Sequence, residues 1–157
     1  MEKKYFELIN VINFARIIEW LHKYMSSYSN AEWVNLYESK IKEELEETNT
    51  ALQENNLVEF LDWCIDLFWV IKWYEYFWWD IFWLQINPFE ILFNNIKFDS
   101  EELLKISLIN DLINVIADSN FTKELSWNEI IKWKDFINPI EWLKEIITKY
   151  NIRLITE

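Results

Sequence analysis

The chain lacks glycine entirely and contains only two prolines, one cysteine and one histidine among its 157 residues. Without glycine it has no phosphate-binding loop of the GxxxxGK[ST] type. A single cysteine, Cys64, excludes an internal disulfide and fits a reducing compartment, so we predict a cytoplasmic protein. Cys64 lies within an apolar helical pattern and is interpreted as a small core residue. His22 has no cluster of histidines or cysteines to join, so a zinc site is not expected.

Positive charge is also scarce. The chain has 15 basic and 27 acidic residues, which gives a net charge of −12. This balance argues against nucleic acid or an anionic membrane surface as a partner. The most apolar run, residues 67–84, contains Lys72, Glu75 and Asp80, so we do not expect it to span a membrane. The first residues, MEKKYFELINVINF, lack the apolar core and cleavage site of a signal peptide.

Tryptophan, by contrast, occurs eleven times. Average glycine usage of about 7% would place roughly eleven glycines in a chain of this length. Several tryptophans stand where glycine is expected, as in the polar segment LSWNEIIKWKDF. We therefore hypothesise that these positions are UGA codons that specify glycine in the source and are translated here as tryptophan. The alternative is a genuine tryptophan-rich protein, which UGG codons in the gene would establish.

Apolar residues recur every three to four positions over most of the chain, which predicts helices. The predicted helices cover residues 5–25, 31–54, 57–77, about 100–118 with Ser100 as N-cap, and 140–150 after Pro139. Residues 78–98 give no clear pattern, and the polar loop after 118 contains EIIKW as a short extended piece. The predicted fold is all-α, a bundle of four to five helices in one domain over 1–157. Within it, 31–80 is the core motif region and 118–150 a C-terminal loop and helix.

Two groups of carboxylates are spaced three or four residues apart, which places each group on one face of a helix. Glu44 and Glu47 share one face of a helix, while Glu59, Asp62 and Asp66 form a stripe on the next. If these helices pack antiparallel across the ENN turn, the carboxylates converge and raise one another's pKa values. Mg²⁺ would offset that repulsion because it prefers oxygen ligands. We therefore predict these five residues as metal ligands, with Asp66 the fifth candidate; the alternative is a solvated acidic helix face.

The surrounding sequence resembles a known family. EELEETNTAL followed by EFLDWCIDLFWV is similar to the acidic signature of the MazG-like all-α NTP pyrophosphohydrolases, in the phosphoribosyl-ATP pyrophosphohydrolase-like branch of phages and bacteria. Downstream, DSNFTK and NEIIKWKDFINP resemble later elements of the family, with tryptophan at glycine positions. The resemblance covers about residues 35–143. It is looser over the first 30 residues.

The resemblance implies an enzyme that hydrolyses a nucleoside triphosphate between the α and β phosphates, in housekeeping of the nucleotide pool. The catalytic residues would be Glu44 and Glu47, acting on a water bound to Mg²⁺ or its substitute Mn²⁺. Asn120 and Lys123 are substrate-binding candidates by resemblance, and Lys72 and Lys132 are further candidates for phosphate contact. The family also implies a homodimer or homotetramer, for which the apolar run 67–84 suits an interface.

Two alternatives remain at this stage. One is a non-catalytic helical interaction protein whose acidic stripe binds a basic partner. The other keeps the chemistry but changes the substrate, to dUTP, dCTP or phosphoribosyl-ATP. Stabilisation by a divalent cation separates the first alternative from the enzyme, because a ligand that binds only the folded form raises its stability.

Overall fold

The computed structural model describes residues 30–77, 87–98, 101–126, 129–132 and 134–155, and for parts of these ranges, including 30–38 and 72–77, the backbone alone. Five helices occur in the described part: α1 (Asn30–Gln53), α2 (Leu57–Phe77), α3 (Pro88–Asn95), α4 (Glu102–Asn120) and α5 (Ile140–Tyr150). The predicted all-α fold is confirmed. The helix expected at 5–25, with His22, lies outside the described residues.

The first two helices form the hairpin that the acidic residues require. Their bounds lie within one residue of those predicted from periodicity. Asn55, at φ 53°, makes the left-handed turn between them, and the Asn56 N–H donates to the Ala51 carbonyl at 2.9 Å. Asparagine tolerates this conformation better than most residues, which suits a chain without glycine. The turn is short, so α1 and α2 run antiparallel and pack along their lengths.

Helix α2 is the centre of the bundle and packs against α1, α3, α4 and α5. This explains its composition, because a helix surrounded by others is apolar on nearly every face. Cys64 is completely buried and its thiol donates to the Pro88 carbonyl at 3.0 Å, as expected for a core residue. The core of α2 consists of Phe60, Leu61, Cys64, Ile65, Leu67, Phe68, Trp69 and Ile71.

This burial corrects one sequence interpretation. Residues 67–71 were predicted to belong to an exposed dimer interface, yet Leu67, Phe68, Trp69 and Ile71 are at most 3% exposed within the single chain. Their apolar surface is already used by the core. The remainder of the run to residue 84 lies outside the described side chains.

Helix α3 was not predicted, since residues 78–98 gave no clear pattern and a proline disfavours helix in the residue before it. The proline instead occupies the first turn, where no backbone N–H is needed, and the Asn87 side chain accepts hydrogen bonds from the Phe89 and Glu90 N–H groups. The same pair therefore begins a helix. Helix α4 starts after Glu101, which has no side-chain cap hydrogen bond, and Ser100 lies outside the described residues.

Four short strands complete the described chain. β1 (Ile96–Lys97) pairs antiparallel with β4 (Arg153–Leu154), and β2 (Glu124–Ser126) pairs antiparallel with β3 (Glu129–Ile131). The β2–β3 hairpin includes the start of the extended piece predicted at EIIKW. It brings the chain back from the end of α4 towards α5. Among the described residues, no helix has the length and apolar character needed to cross a membrane.

Candidate functional site

On α1, Glu44 faces the bundle while its neighbours face solvent. Ile41, Thr48 and Ala51 are buried on the same side of the helix, whereas Glu43 and Glu46 are exposed. Burial raises the pKa of Glu44 to about 9, and repulsion from Asp66 and Glu47 adds to the rise. The Glu44 Oε2 atom is buried with no hydrogen-bond partner among the described residues. A buried, unpartnered carboxylate oxygen is costly, so a ligand would satisfy it.

Glu47, one turn later, is half-buried at the edge of the same face. Burial and then repulsion from Glu43 raise the pKa of Glu47. A hydrogen bond from the Glu44 carboxyl opposes that rise, which requires a proton on Glu44. Burial and the closeness of like charges thus favour the protonated form of both α1 carboxyls.

On α2, Asp62 and Asp66 are set among core residues and lie one turn apart. Burial raises the pKa of Asp62 to about 8, with further contributions from Asp66 and then Glu59. Burial also raises the pKa of Asp66, and this rise is opposed by Lys123 and by a hydrogen bond from Asn120. The sequence predicts this perturbation, since isolated carboxylates within an apolar helix are strongly desolvated.

Asp66 connects the two helices, because it acts on Glu44 and Glu47 from α1 and on Asp62 from its own helix. We call Glu44, Glu47, Asp62 and Asp66 the acidic cluster. The structure thus brings four of the five predicted carboxylates into electrostatic contact, and Glu59 joins through Asp62. Their convergence follows from the antiparallel hairpin, which places the α1 and α2 stripes opposite each other.

Lysines from three parts of the chain face the acidic cluster. Lys123 acts on Glu44, Asp62 and Asp66. Lys132 acts on Asp62 and Asp66. Both were predicted as substrate-binding candidates, and the structure places both beside carboxylates. Since a phosphate group carries the opposite charge, cations at this position suit an anionic substrate.

Lys40 is a member of the site that the sequence interpretation missed. Its ammonium contacts Glu43 at 2.9 Å and interacts electrostatically with Glu44 and Glu47. The signal was present, because Lys40 lies four residues before Glu44 and seven before Glu47, which is one helical face. Lys72 falls on α2 as predicted, but its side chain lies outside the described part of the structure.

Asn120, a predicted substrate-binding residue, contacts the acidic cluster. It ends α4, is only 4% exposed, and its side chain hydrogen-bonds Asp66. The amide therefore orients a carboxylate of the acidic cluster. Its predicted contact with a base or sugar remains a prediction, and the sequence alone did not indicate the bond to Asp66.

The donor set fits a hard divalent cation. All members of the acidic cluster present carboxylate oxygens, and Glu44 Oε2 is an orphaned acceptor aimed into the interior. Within the described ranges, however, no three His, Cys, Asp or Glu side chains are arranged so as to hold a metal ion. The side chains are near one another without being assembled as ligands, in agreement with their mutual repulsion and raised pKa values.

Comparison with known proteins bears on these same residues. The model of the phosphoribosyl-ATP pyrophosphohydrolase family matches residues 11–72. Residues 11–72, which are less than half of the chain, are thus similar to the domain of that family. No curated protein matches the chain, and no solved structure matches it.

The matched segment of this pyrophosphohydrolase domain contains every predicted metal ligand and both predicted catalytic residues. The predicted family and the predicted class of enzyme, a pyrophosphohydrolase acting on acid anhydrides, are confirmed by it. Members of the family typically depend on a divalent metal. The match and the predicted resemblance have about residues 35–72 in common. The match begins within the first 30 residues and ends before the DSNFTK element, so Asn120, Lys123 and Lys132 lie outside it.

Proposed function

We propose that the protein is a Mg²⁺-dependent nucleoside triphosphate pyrophosphohydrolase, which converts an NTP or dNTP and water into the monophosphate and pyrophosphate. The observation that supports this proposal most directly is the acidic cluster itself. Four carboxylates from two neighbouring helices lie together within the segment that the family model matches. Surface charge alone would not bury Glu44 and Asp62 at such a cost, since unpaired buried carboxylates destabilise a fold.

Glu44, Asp62 and Asp66 would hold the cation, with Glu59 at the edge. When bound, Mg²⁺ supplies positive charge for phosphate oxygens and lowers the pKa of a coordinated water. Mn²⁺ is a possible substitute. We assign Glu47 the role of general base because it is the more accessible of the two α1 carboxyls and burial raises its pKa above the ordinary value of a glutamate. It accepts the proton of the water that attacks the α-phosphorus as pyrophosphate leaves.

Lys123 and Lys132 contribute positive charge to the site. In the described structure both interact with carboxylates. When a triphosphate binds, these ammonium groups neutralise its oxygens and limit its repulsion from a chain of net charge −12. Pyrophosphate leaves with more negative charge than the bridging oxygen had, so cations at the β and γ phosphates favour cleavage.

The name of the matching family favours a second substrate, phosphoribosyl-ATP. Its triphosphate would be cleaved at the same bond, with the same residues in the same roles. Phosphoribosyl-ATP differs from ATP by the phosphoribosyl group on its adenine ring, so the shape of the base pocket decides between them. A substrate panel must therefore include phosphoribosyl-ATP beside NTPs and dNTPs, with dUTP and dCTP among the latter.

The decisive assay is pyrophosphate release over this panel with Mg²⁺ or Mn²⁺, on protein expressed both as printed and with glycine at the eleven tryptophan positions. We expect Glu47→Gln to lower kcat by about 100-fold or more, as removal of a general base does. Glu46→Gln is the matched control, because Glu46 is exposed on the other face of α1. Equal rates in wild type and Glu47→Gln would remove the assignment. A lack of any effect of divalent cations would favour the non-catalytic alternative.

We also propose a homodimer or homotetramer in the cytoplasm, as the family resemblance implies. Because residues 67–71 are buried within one chain, the interface must use other surface. Light scattering at micromolar concentration tests this part, and a monomer would contradict it.

A further inference from the structure

Two hydrogen bonds join the end of α4 to the segment before α5, and a third lies within the end of α4. The Thr122 hydroxyl donates to the Ser119 carbonyl at 2.6 Å and accepts from the Ile137 N–H at 2.9 Å. The Ser119 hydroxyl donates to the Ile137 carbonyl at 2.7 Å. Both backbone polar groups of Ile137 are thus held by hydroxyls. We call Ser119, Thr122 and Ile137 the hydroxyl clasp.

The hydroxyl clasp lies next in sequence to a residue that contacts the acidic cluster. Ser119 is 2% exposed and is followed directly by Asn120, the partner of Asp66. Side-chain hydroxyls that bind both backbone groups of the exposed residue Ile137 restrict its position relative to the end of α4. The segment around Ile137 is therefore fixed to the same helix end that orients the acidic cluster.

Lys132 depends on this segment for its position. Its ammonium lies over the Phe136 ring, 5.0 Å from the ring centre, and Phe136 directly precedes the clasped Ile137. From there Lys132 interacts with Asp62 and Asp66. A lysine on an exposed loop otherwise loses considerable side-chain entropy on binding an anion. Support from the aromatic ring reduces that loss, because a cation is attracted to the ring face.

We propose that the hydroxyl clasp is a positioning device that holds Lys132, through Phe136, at the acidic cluster to bind the pyrophosphate part of the substrate. Ser119 and Thr122 are positioning residues and do not touch the substrate. The inference rests on the proposed function and goes beyond it, because it assigns a role to residues outside the segment that the family model matches. It predicts that loss of the clasp weakens phosphate binding through Lys132 and leaves the acidic cluster intact.

The test is a double-mutant cycle. Thr122→Val keeps the shape of the side chain and removes two of the three bonds, and Thr122→Ser restores the hydroxyl. We expect Thr122→Val to weaken binding of Mg²⁺-pyrophosphate, measured by calorimetry, and to raise KM for the preferred triphosphate, each by about tenfold, with kcat changed less than about threefold. Thr122→Ser should lie within about twofold of wild type. In a Lys132→Ala background, Thr122→Val should have less than about a twofold further effect.

Two further variants keep the test decisive. Thr148→Val is the matched control, since its hydroxyl bonds the Lys144 carbonyl within α5 and faces solvent. If Thr122→Val does not fold by circular dichroism, Ser119→Ala removes the remaining clasp bond and takes its place in the cycle. Additive effects of Thr122→Val and Lys132→Ala, or unchanged pyrophosphate binding in the clasp variants, overturn the proposal.

The outcomes also separate this proposal from the proposed function. If wild type cleaves no triphosphate but binds pyrophosphate in a clasp-dependent manner, the proposed function fails and the positioning role stands. If wild type is active and the clasp variants behave like Thr148→Val, the positioning role fails alone. Absence of pyrophosphate binding by wild type in the presence of Mg²⁺ overturns both.

Discussion

The metal-free protein should become less stable as the pH rises from about 5.5 to 8.5. The folded pKa values of Glu44 and Asp62 are raised to about 9 and about 8, whereas the unfolded chain has ordinary values near 4. Between these limits the folded state binds more protons than the unfolded state, so unfolding releases protons. The stability that the protonated Glu44 and Asp62 carboxyls contribute is fully present below their pKa values in the unfolded chain. It is lost as the pH rises through their pKa values in the folded protein.

The size of the loss follows from the same two groups. Each carboxyl costs about 1.4 kcal/mol for every pH unit between its unfolded and folded pKa, or about 4 kcal/mol over three pH units. Both side chains keep some contact with solvent and Asp66 couples their titrations, so each cost falls to about 1–2 kcal/mol. We therefore expect a total of about 2–4 kcal/mol. For a chain of this size that corresponds to a fall in Tm of about 5–15 °C.

Thermal unfolding in the presence of EDTA measures this loss for wild type and two variants. Glu44→Gln removes one buried charge and should show less than about two thirds of the wild-type decline. Glu46→Gln removes an exposed charge from the same helix and should follow wild type, which controls for net charge. Millimolar Mg²⁺ at about pH 8 should restore Tm in wild type, by about 2.7 kcal/mol at one hundred times its Kd, but less in Glu44→Gln. A wild-type Tm that is constant or rises over this range would refute the reasoning.

Three other features lead to shorter tests. Cys64 is fully buried and burial raises the pKa of its thiol, so the folded protein should not react with Ellman's reagent until denaturant unfolds it; rapid labelling would contradict the core placement. Asn87→Ala removes the cap of α3 and should lower the free energy of unfolding by about 1 kcal/mol in urea titrations, whereas an unchanged midpoint would show that the cap contributes nothing. Trp69→Gly should cost about 3–5 kcal/mol if tryptophan is the native residue, and a gain in stability would instead support the codon hypothesis.

The helical hairpin that carries the acidic residues was the most predictable part of the fold. The boundaries of α1 and α2 follow from apolar periodicity and from the polar ENN turn, both of which are local properties. The perturbation of Asp62 and Asp66 was also predictable, because their neighbours in sequence are apolar and a helix places those neighbours around them. Pro88 was misjudged, since the same residue that disfavours a preceding helix is favourable in the first turn of a following one.

Contacts between parts of the chain that are distant in sequence could not be predicted. Nothing in the local pattern around Asn120 indicates that its amide meets Asp66, or that the hydroxyls of Ser119 and Thr122 hold Ile137. These contacts depend on where the β2–β3 hairpin returns the chain, which is a tertiary property. The backbone also bears on the codon hypothesis. No tryptophan among the described residues has a positive φ, so the backbone geometry at those positions does not require glycine.

The lysines that interact with the acidic cluster lie both before and after it in the sequence. Lys40 arrives on the same helix as the glutamates, but Lys123 and Lys132 come from beyond the segment shared with the family. A fragment that stopped near residue 72 would keep the anionic half of the centre and discard most of its counter-ions. The charge balance of the acidic cluster therefore depends on residues outside the matched segment.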